Sequence, residues 1–488
     1  MNKFVPLKYI SEREGEQIEI ELPFVLGIMT HINRTAVESK TPFESRRFVT
    51  VDLDNTQEFF DVMRPSITVD LTHASRQILI SFSSFEDIHP VRLKQHIEEK
   101  LISYDGLTLS EADMQDALAE ILQHQGLQQL LDSLRGIYQL LDNKLNESNL
   151  VIRVLDVSKQ ELINDVKSGL TPESCLYRSV YLHEYGTFEG TPYSLVLTDF
   201  EFSHNDTDMS VIEYLARLGA KADCVFLLKP ESTIFGTTFQ RENIDSVKID
   251  TNFSSREFLR WRALRDHESS RFIVMMVALR PSRTVTPKDI VNPVFSGALN
   301  ILPFFTGSNL WNFIHEDNAY LTDSKTELTN TQSIKALKHF GFNIVNADTS
   351  GLLTPVSGIV SLQSPRKYFD QSSNEIASVM ASVPYHLIAT AFVRYITMIT
   401  RETLGLGLDN DALATTVNQW LKLYIDGDDK QNRNSFDLLK PLTKASVLID
   451  EVAGVPGLYR GLLKIQLEIE GFSRTPCTHH QFNVLSIF

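Results

Sequence analysis

The chain has 488 residues, 42% apolar and 22% charged, with a formal net charge of −16. The length exceeds one ordinary hydrophobic core, so two or three domains are expected, and the composition is that of a soluble globular protein. The acidic balance argues against nucleic acid or an anionic membrane as partner, because both need clustered Lys and Arg.

Three cysteines (Cys175, Cys224 and Cys477) are too few for a disulfide framework. The opening MNKFVPLKYISEREGE has no apolar signal core, and no apolar run approaches a membrane span, so a cytoplasmic protein is expected. Ile18, Ile20 and Leu22 alternate with Glu19 and Glu21, which predicts a strand with one buried and one charged face. Pro23 should break it before the apolar run 24–29. A strand over 48–53 and a helix over 58–63 follow, the helix capped by Asn55 or Thr56 and ended by Pro65. Residues 67–71 and 78–82 alternate around the polar turn 72–75 and read as a hairpin. Pro90 suits the first turn of a helix over 91–102.

A linker is expected near 107–109, then helical spacing over 114–141 interrupted at Gly126, a strand over 151–157 and a helix from Ser158 to Val166. Residues 194–202 are rich in β-branched and aromatic types. After the capping cluster 203–206, Met209, Ile212, Leu215, Ala216 and Leu218 recur at helical spacing, and 224–228 is a short apolar run. Strand, helix and strand make a βαβ unit, expected to be right-handed and to scaffold the larger domain. A charged helix and an apolar strand are expected over 256–280. Prolines make 281–350 hard to read, and a buried helix is expected over 386–402. In the final hairpin (445–452 and 458–470), Tyr459, Leu463, Ile465, Leu467 and Ile469 face one way, and Arg460, Lys464, Gln466, Glu468 and Glu470 the other.

No catalytic constellation emerges. Asp199 and Glu201, two apart on a strand, should share a face and could act as paired carboxylates, but no nucleophile motif accompanies them and a satisfied surface pair is favoured. Gly186 and Gly190 lack the Lys–Ser/Thr of a phosphate loop and carry Glu184 and Glu189, so a tight structural turn is expected. Cys477, His479 and His480 match no zinc spacing and read as a polar loop. Trp261, Trp311 and Trp420 read as core.

Several segments carry a resemblance. LPFVLGIM (22–29), RRFVTVDLDN (46–55) and SFEDIHPVRL (84–93) resemble the small sheath subunit of type VI secretion systems, which are contractile injection machines. The rest resembles the large sheath subunit. The residues that carry it are Arg135–Gly136 after a histidine-containing turn (Leu134 standing for the family's tryptophan); Glu184–Tyr185–Gly186 with Gly190; DFEFSH with Asp199 and Glu201; SLQSPRKYFD (361–370), Asn374 and VPY (383–385); VNQWLKLYID (417–426); and EVAGVPGLYR with Pro456, Gly457, Tyr459 and Arg460.

The resemblance implies an α/β (α+β) fold of mixed sheets flanked by helices, divided into 1–105, 106–285, a poorly matched insertion 286–350, and 351–488. It implies a structural protein with no catalytic residue, metal or cofactor, which assembles with itself or other sheath subunits around an inner tube. Baseplate components and an ATP-driven unfoldase would be further partners. Neighbouring protomers of such sheaths exchange strands, which makes Ile18, Ile20 and Leu22 one candidate assembly strand. The terminal Phe482, Val484, Leu485, Ile487 and Phe488 form another, lent to a neighbour or tucked into its own domain. The helical region that ends the family's small subunit, and the arm that begins its large one, are not apparent between the two parts. An accessory that caps the sheath or links it to the baseplate is therefore the alternative. An enzyme on the α/β core is the remote one.

Overall fold

The computed structural model describes residues 6–13, 16–35, 41–71, 76–102, 111–144, 149–187, 190–235, 253–279, 292–305, 332–347, 353–355, 359–404, 410–426, 440–453, 458–467 and 477–485. An antiparallel hairpin of β1 (Tyr9–Arg13) and β2 (Glu16–Ile20) opens the chain. Pro23 separates it from β3 (Phe24–Thr30), every residue of which is buried. Short strands β4 (Asn33–Arg34) and β5 (Val49–Val51) precede α1 (Thr56–Met63), which ends at Arg64 in a left-handed conformation before Pro65. The hairpin of β6 (Ser66–Leu71) and β7 (Arg76–Ser81) pairs Ile67 with Ile80 and Val69 with Ile78, and Pro90 opens α2 (Pro90–Ile102). Asn55 stands at the N-cap of α1 but its side chain instead accepts from Asp52 N, at 2.6 Å.

The long helical segment is two helices, α3 (Glu111–Gln123) and α4 (Gln125–Asp142), broken at His124 two residues before Gly126. His124 caps α4, its Nδ1 accepting from Leu127 N at 3.4 Å. Then come β8 (Leu150–Asp156) and α5 (Lys159–Asp165), the latter started by a reciprocal Ser158–Glu161 capping box. The βαβ unit is β9 (Tyr193–Phe202), α6 (Asp206–Ala222) and β10 (Val225–Pro230), with Asn205 accepting from Asp208 N to start the helix. α7 (Leu259–Asp266), β11 (Ile273–Leu279), α8 (Pro293–Phe305), α9 (Gln332–His339), β12 (Phe342–Ala347) and β13 (Leu353–Pro355) complete the middle of the chain. The C-terminal part holds α10 (Gln371–Met380), α11 (Val383–Leu404), α12 (Asn410–Lys422) and an antiparallel sheet of β14 (Leu442–Glu451), β15 (Leu458–Leu467) and β16 (Thr478–Leu485).

Eight strands form one sheet in the order β13-β12-β11-β10-β9-β3-β8-β5. The six inner strands are parallel, and β13 and β5 close the edges antiparallel. β3 sits inside, with Ile28 opposite Val154 of β8 on one side and Leu197 of β9 on the other. Its alternate side chains enter two cores: Val25 and Met29 pack with α6 and α11, whereas Phe24, Leu26 and Ile28 pack with α4, α8 and the β6–β7 hairpin. Both faces are covered, which is why these strands read as continuous apolar runs.

Two expectations change. The stretch 286–350 is no simple insertion, because α8 buries Val294, Phe295, Ala298 and Ile301 in the second core and β12 is a strand of the main sheet. Pro293 opens α8, a position where its missing N–H costs nothing. In β2, Ile18 is exposed rather than buried and Ile20 is half-buried against the first core, as is Leu22 just after the strand.

Candidate functional site

In an open parallel sheet, ligands bind beyond the carboxyl ends of strands where the strand order reverses. Here that point lies between β3 and β9, and the protein's own side chains fill it. Thr30 Oγ1 donates to Asp199 Oδ2 at 2.7 Å, and the Ser133 hydroxyl of α4 donates to the same oxygen. Burial pushes the Asp199 carboxyl up, against the hydrogen bonds from Ser133 and Thr30 and the Arg34 charge. Beside it Asp156 accepts from Ile32 N at 2.8 Å and Asn33 N at 3.1 Å, so the loop leaving β3 is tied to the end of β8. Arg46 links Asp156 to Glu161. Glu201 goes elsewhere, to Lys229 at 2.7 Å on the surface. The expected shared face is lost because β9 bulges: Leu197 pairs with Leu227 but Glu201 with Lys229, two residues on.

The other motif residues also join segments. Glu184 accepts from Arg153 at 3.0 Å and from Thr191 N at 2.8 Å, and the Tyr185 hydroxyl donates to Ala222 O at 2.8 Å. His183–Gly186 is the last turn of a helix rather than part of a loop, and a Cβ on Gly190 would collide with the Glu184 carbonyl. Gly136 faces α8 so closely that a Cβ would stand 2.5 Å from the Phe295 ring, and Arg135 pairs with Asp132 at 3.8 Å. Trp261 and Trp420 are core; Trp311 lies outside the described residues.

At the C-terminus, the expected polar loop is the start of a strand. Cys477 and His479 are exposed while His480 turns inward, and burial depresses it to about 3. Burial also holds the neighbouring His386 well below its ordinary range. Among the described residues no three His, Cys, Asp or Glu are grouped to hold a metal ion. Within the chain, the described part of the terminal segment is already paired. β16 pairs with β15 of its own chain from Thr478–Ile465 to Leu485–Leu458, which places Val484 opposite Tyr459, and Phe482 lies buried over Gly461. Tyr459 is half-buried and Arg460 exposed. Pro456, Gly457, Ile487 and Phe488 lie outside the described residues.

Sequence reasoning passed over Phe369, the most exposed large apolar side chain described. Its turn is ordered by two hydrogen bonds: Tyr368 N donates to Asn374 Oδ1 at 2.7 Å, and Asn374 Nδ2 donates to Tyr368 O at 2.9 Å. Asp370 caps α10 by accepting from Ser373 N, and its bonds from Ser372 and Ser373 hold it down at about 2. The signal was present in RKYFD (366–370), an aromatic pair set between two cations and a capping aspartate.

These arrangements define a doubly wound α/β scaffold with an appended antiparallel sheet, its motif residues tying segments together. Residues 2–135 match the type VI secretion VipA family, 108–286 the VipB tail sheath N-terminal domain, and 372–473 the VipB tail sheath gpW/gp25-like domain. The small-subunit match thus runs over α2–α4, beyond the expected boundary near 105. The chain is 25% identical over 399 residues to the type VI secretion system sheath protein TssC1 of Pseudomonas aeruginosa, covering 72% of this chain and 80% of that protein. It is 23% identical over 99 residues to TssB1 of the same organism, covering 19% of this chain and 58% of that protein, less than two thirds of its length. The chain belongs to the type VI secretion sheath family and carries small- and large-subunit regions in one polypeptide. Among its described residues no helix is long and apolar enough to cross a membrane.

Proposed function

We propose that this protein is a structural sheath component of a type VI secretion apparatus, a single-chain building block that assembles in the bacterial cytoplasm by protein–protein and strand-exchange contacts. It joins copies of itself or other sheath subunits around an inner tube, with baseplate components and an unfoldase as further partners. The observation that carries this reading is β3. A strand from the small-subunit-like region occupies the middle of the large region's sheet, so the two regions act as one brick. Covalent linkage fixes their stoichiometry and raises their effective concentration. Force in such an apparatus would come from repacking of rigid units, which asks for no small-molecule cofactor.

One observation favours a second reading, a cap or baseplate link. β16 fills the edge of β15 from within the chain, so that edge is closed to a donated strand. Negative-stain electron microscopy of the purified full chain, alone and with the tube protein, separates the two. Long tubes are expected of the building block. Monodisperse particles under every assembly condition would overturn it in favour of the cap.

A further inference from the structure

We propose that the turn at Arg366–Asp370 is a docking surface for the acidic N-terminal hairpin of a second copy of this chain. The inference rests on the sheath reading for its occupant but stands on its own geometry. Phe369 is fully exposed on a turn that Asn374 clamps from both sides, so a bare aromatic ring is presented to solvent by an ordered backbone. Arg366, Lys367 and Tyr368 beside it are also exposed. Behind the turn lies a cleft of about 220 Å³ lined by Glu268, Arg271, Arg366, Tyr368, Tyr385 and His479. Arg366 and Arg271 share the Glu268 carboxylate, at 2.7 and 4.0 Å, which leaves a net positive rim on a protein of net charge −16.

The β1–β2 hairpin has the opposite chemistry. Glu16, Gln17, Ile18 and Glu19 of β2 are all exposed, and so is Ile10 of β1, directly across from Glu19 and therefore on the same face; Glu19 also pairs with Lys8 at 3.1 Å, a contact a partner's cation would share. Each exposed isoleucine of the hairpin shares its face with one carboxylate, Ile18 with Glu16 and Ile10 with Glu19. Phe369 stands two and three residues from Lys367 and Arg366, and the adjacent Asp370 carboxylate is engaged by Ser372 and Ser373. The match is therefore apolar contact with complementary charge to one side of it.

Within one molecule the two surfaces do not meet. The hairpin is fixed to the C-terminal half of α11, where Tyr9 packs edge-on against Tyr395 and its hydroxyl donates to Glu402 at 2.8 Å. The cleft is at the other end of the same helix, by Tyr385. At about 1.5 Å per residue, the helix holds them roughly 15–25 Å apart. The contact is therefore between copies, head to tail, and such a contact propagates rather than closes unless its rotation makes a ring.

Sedimentation velocity of the full chain over a concentration series tests this, with circular dichroism melts to show that each variant folds. The wild type is expected to self-associate, less so at high salt. Arg366→Glu with Lys367→Glu, Phe369→Ala, and Glu16→Lys with Glu19→Lys should each weaken association about tenfold. Mixing the Arg366→Glu/Lys367→Glu protein with the Glu16→Lys/Glu19→Lys protein should restore it. A monomeric wild type, unaltered association in all three variants, or no rescue by the mixed charge reversals would each overturn the proposal. Variants that enter tubes at wild-type affinity would sink the docking surface while leaving the sheath reading intact. Charge rescue without tubes would do the reverse.

Discussion

The two main sheets differ in how they treat their faces and edges. In the eight-stranded sheet both faces are sealed by separate cores, and the inner strands β3, β9 and β10 are almost wholly buried. In the three-stranded sheet β14 alternates between buried and exposed residues, as a strand with one wet face must. Removing β3 would open two strand edges in the middle of a core, whereas removing β16 would open one edge at the rim. The first arrangement is suited to a permanent union of the two subunit-like regions. The second leaves a rim strand whose release exposes a single edge.

The strongest way to break this contrast is to cut into β3. Leu26 and Ile28 are fully buried and their core is built from both regions. Truncating either to alanine should cost about 2–5 kcal/mol, read as a lower midpoint in urea. The loss should appear as one cooperative transition, with signals from the β6–β7 hairpin and from α6 moving together. Two separated transitions would show that the first hundred residues fold as a lobe of their own.

Burial explains which parts were legible in the sequence. The βαβ unit, the β6–β7 hairpin, α2 and the C-terminal hairpin were readable because periodicity and capping residues such as Asn205 and Pro90 act locally. The position of β3 was not, since a fully buried apolar run says that it is covered and not by what. The role of 286–350 was hidden by its prolines, although Pro293 merely opens α8. The parting of Asp199 and Glu201 depends on a bulge, which alternation does not announce. Ile18 misleads because alternation predicts a half-buried strand, whereas its side chain is exposed.

A pH titration sharpens the comparison from the sealed side. Asp223 ends α6 with φ 49°, just before β10. Burial raises its carboxyl to about 7, although Arg394 and Lys221 lie close enough to oppose the rise. Between its ordinary value of 3.8 and about 7, the folded chain holds a proton that the unfolded chain releases. This contribution is therefore full below pH 4 and is lost as the pH rises through 7. Asp223→Asn keeps the uncharged shape and tolerates the left-handed backbone. It should flatten that slope and raise stability at pH 8 by about 1–3 kcal/mol, since each tenfold change in proton affinity is worth roughly 1.4 kcal/mol. An unchanged slope between pH 4 and 8 would mean that the carboxylate is solvated.

The smallest effect is expected at the wet sheet, where Gly461 of β15 lies under the Phe482 ring of β16. A Cβ there would fall inside the ring, so Gly461→Val must move Phe482, and the whole edge strand can move with it. Over-packing in a closed core costs about 1–3 kcal/mol. An edge strand that can let go should bring the cost to the lower end, about 1 kcal/mol by chemical denaturation. Hydrogen exchange would localise it, with amides of β16 losing protection while those of β3 and β9 keep theirs. The released edge of β15 would then be open to a strand from another chain, so the variant should also gain self-association that a synthetic 478–485 peptide suppresses. Loss of protection spread evenly over both sheets would show that the C-terminal strand is as deeply committed as β3, and the distinction between a fixed interior and an exchangeable rim would fail.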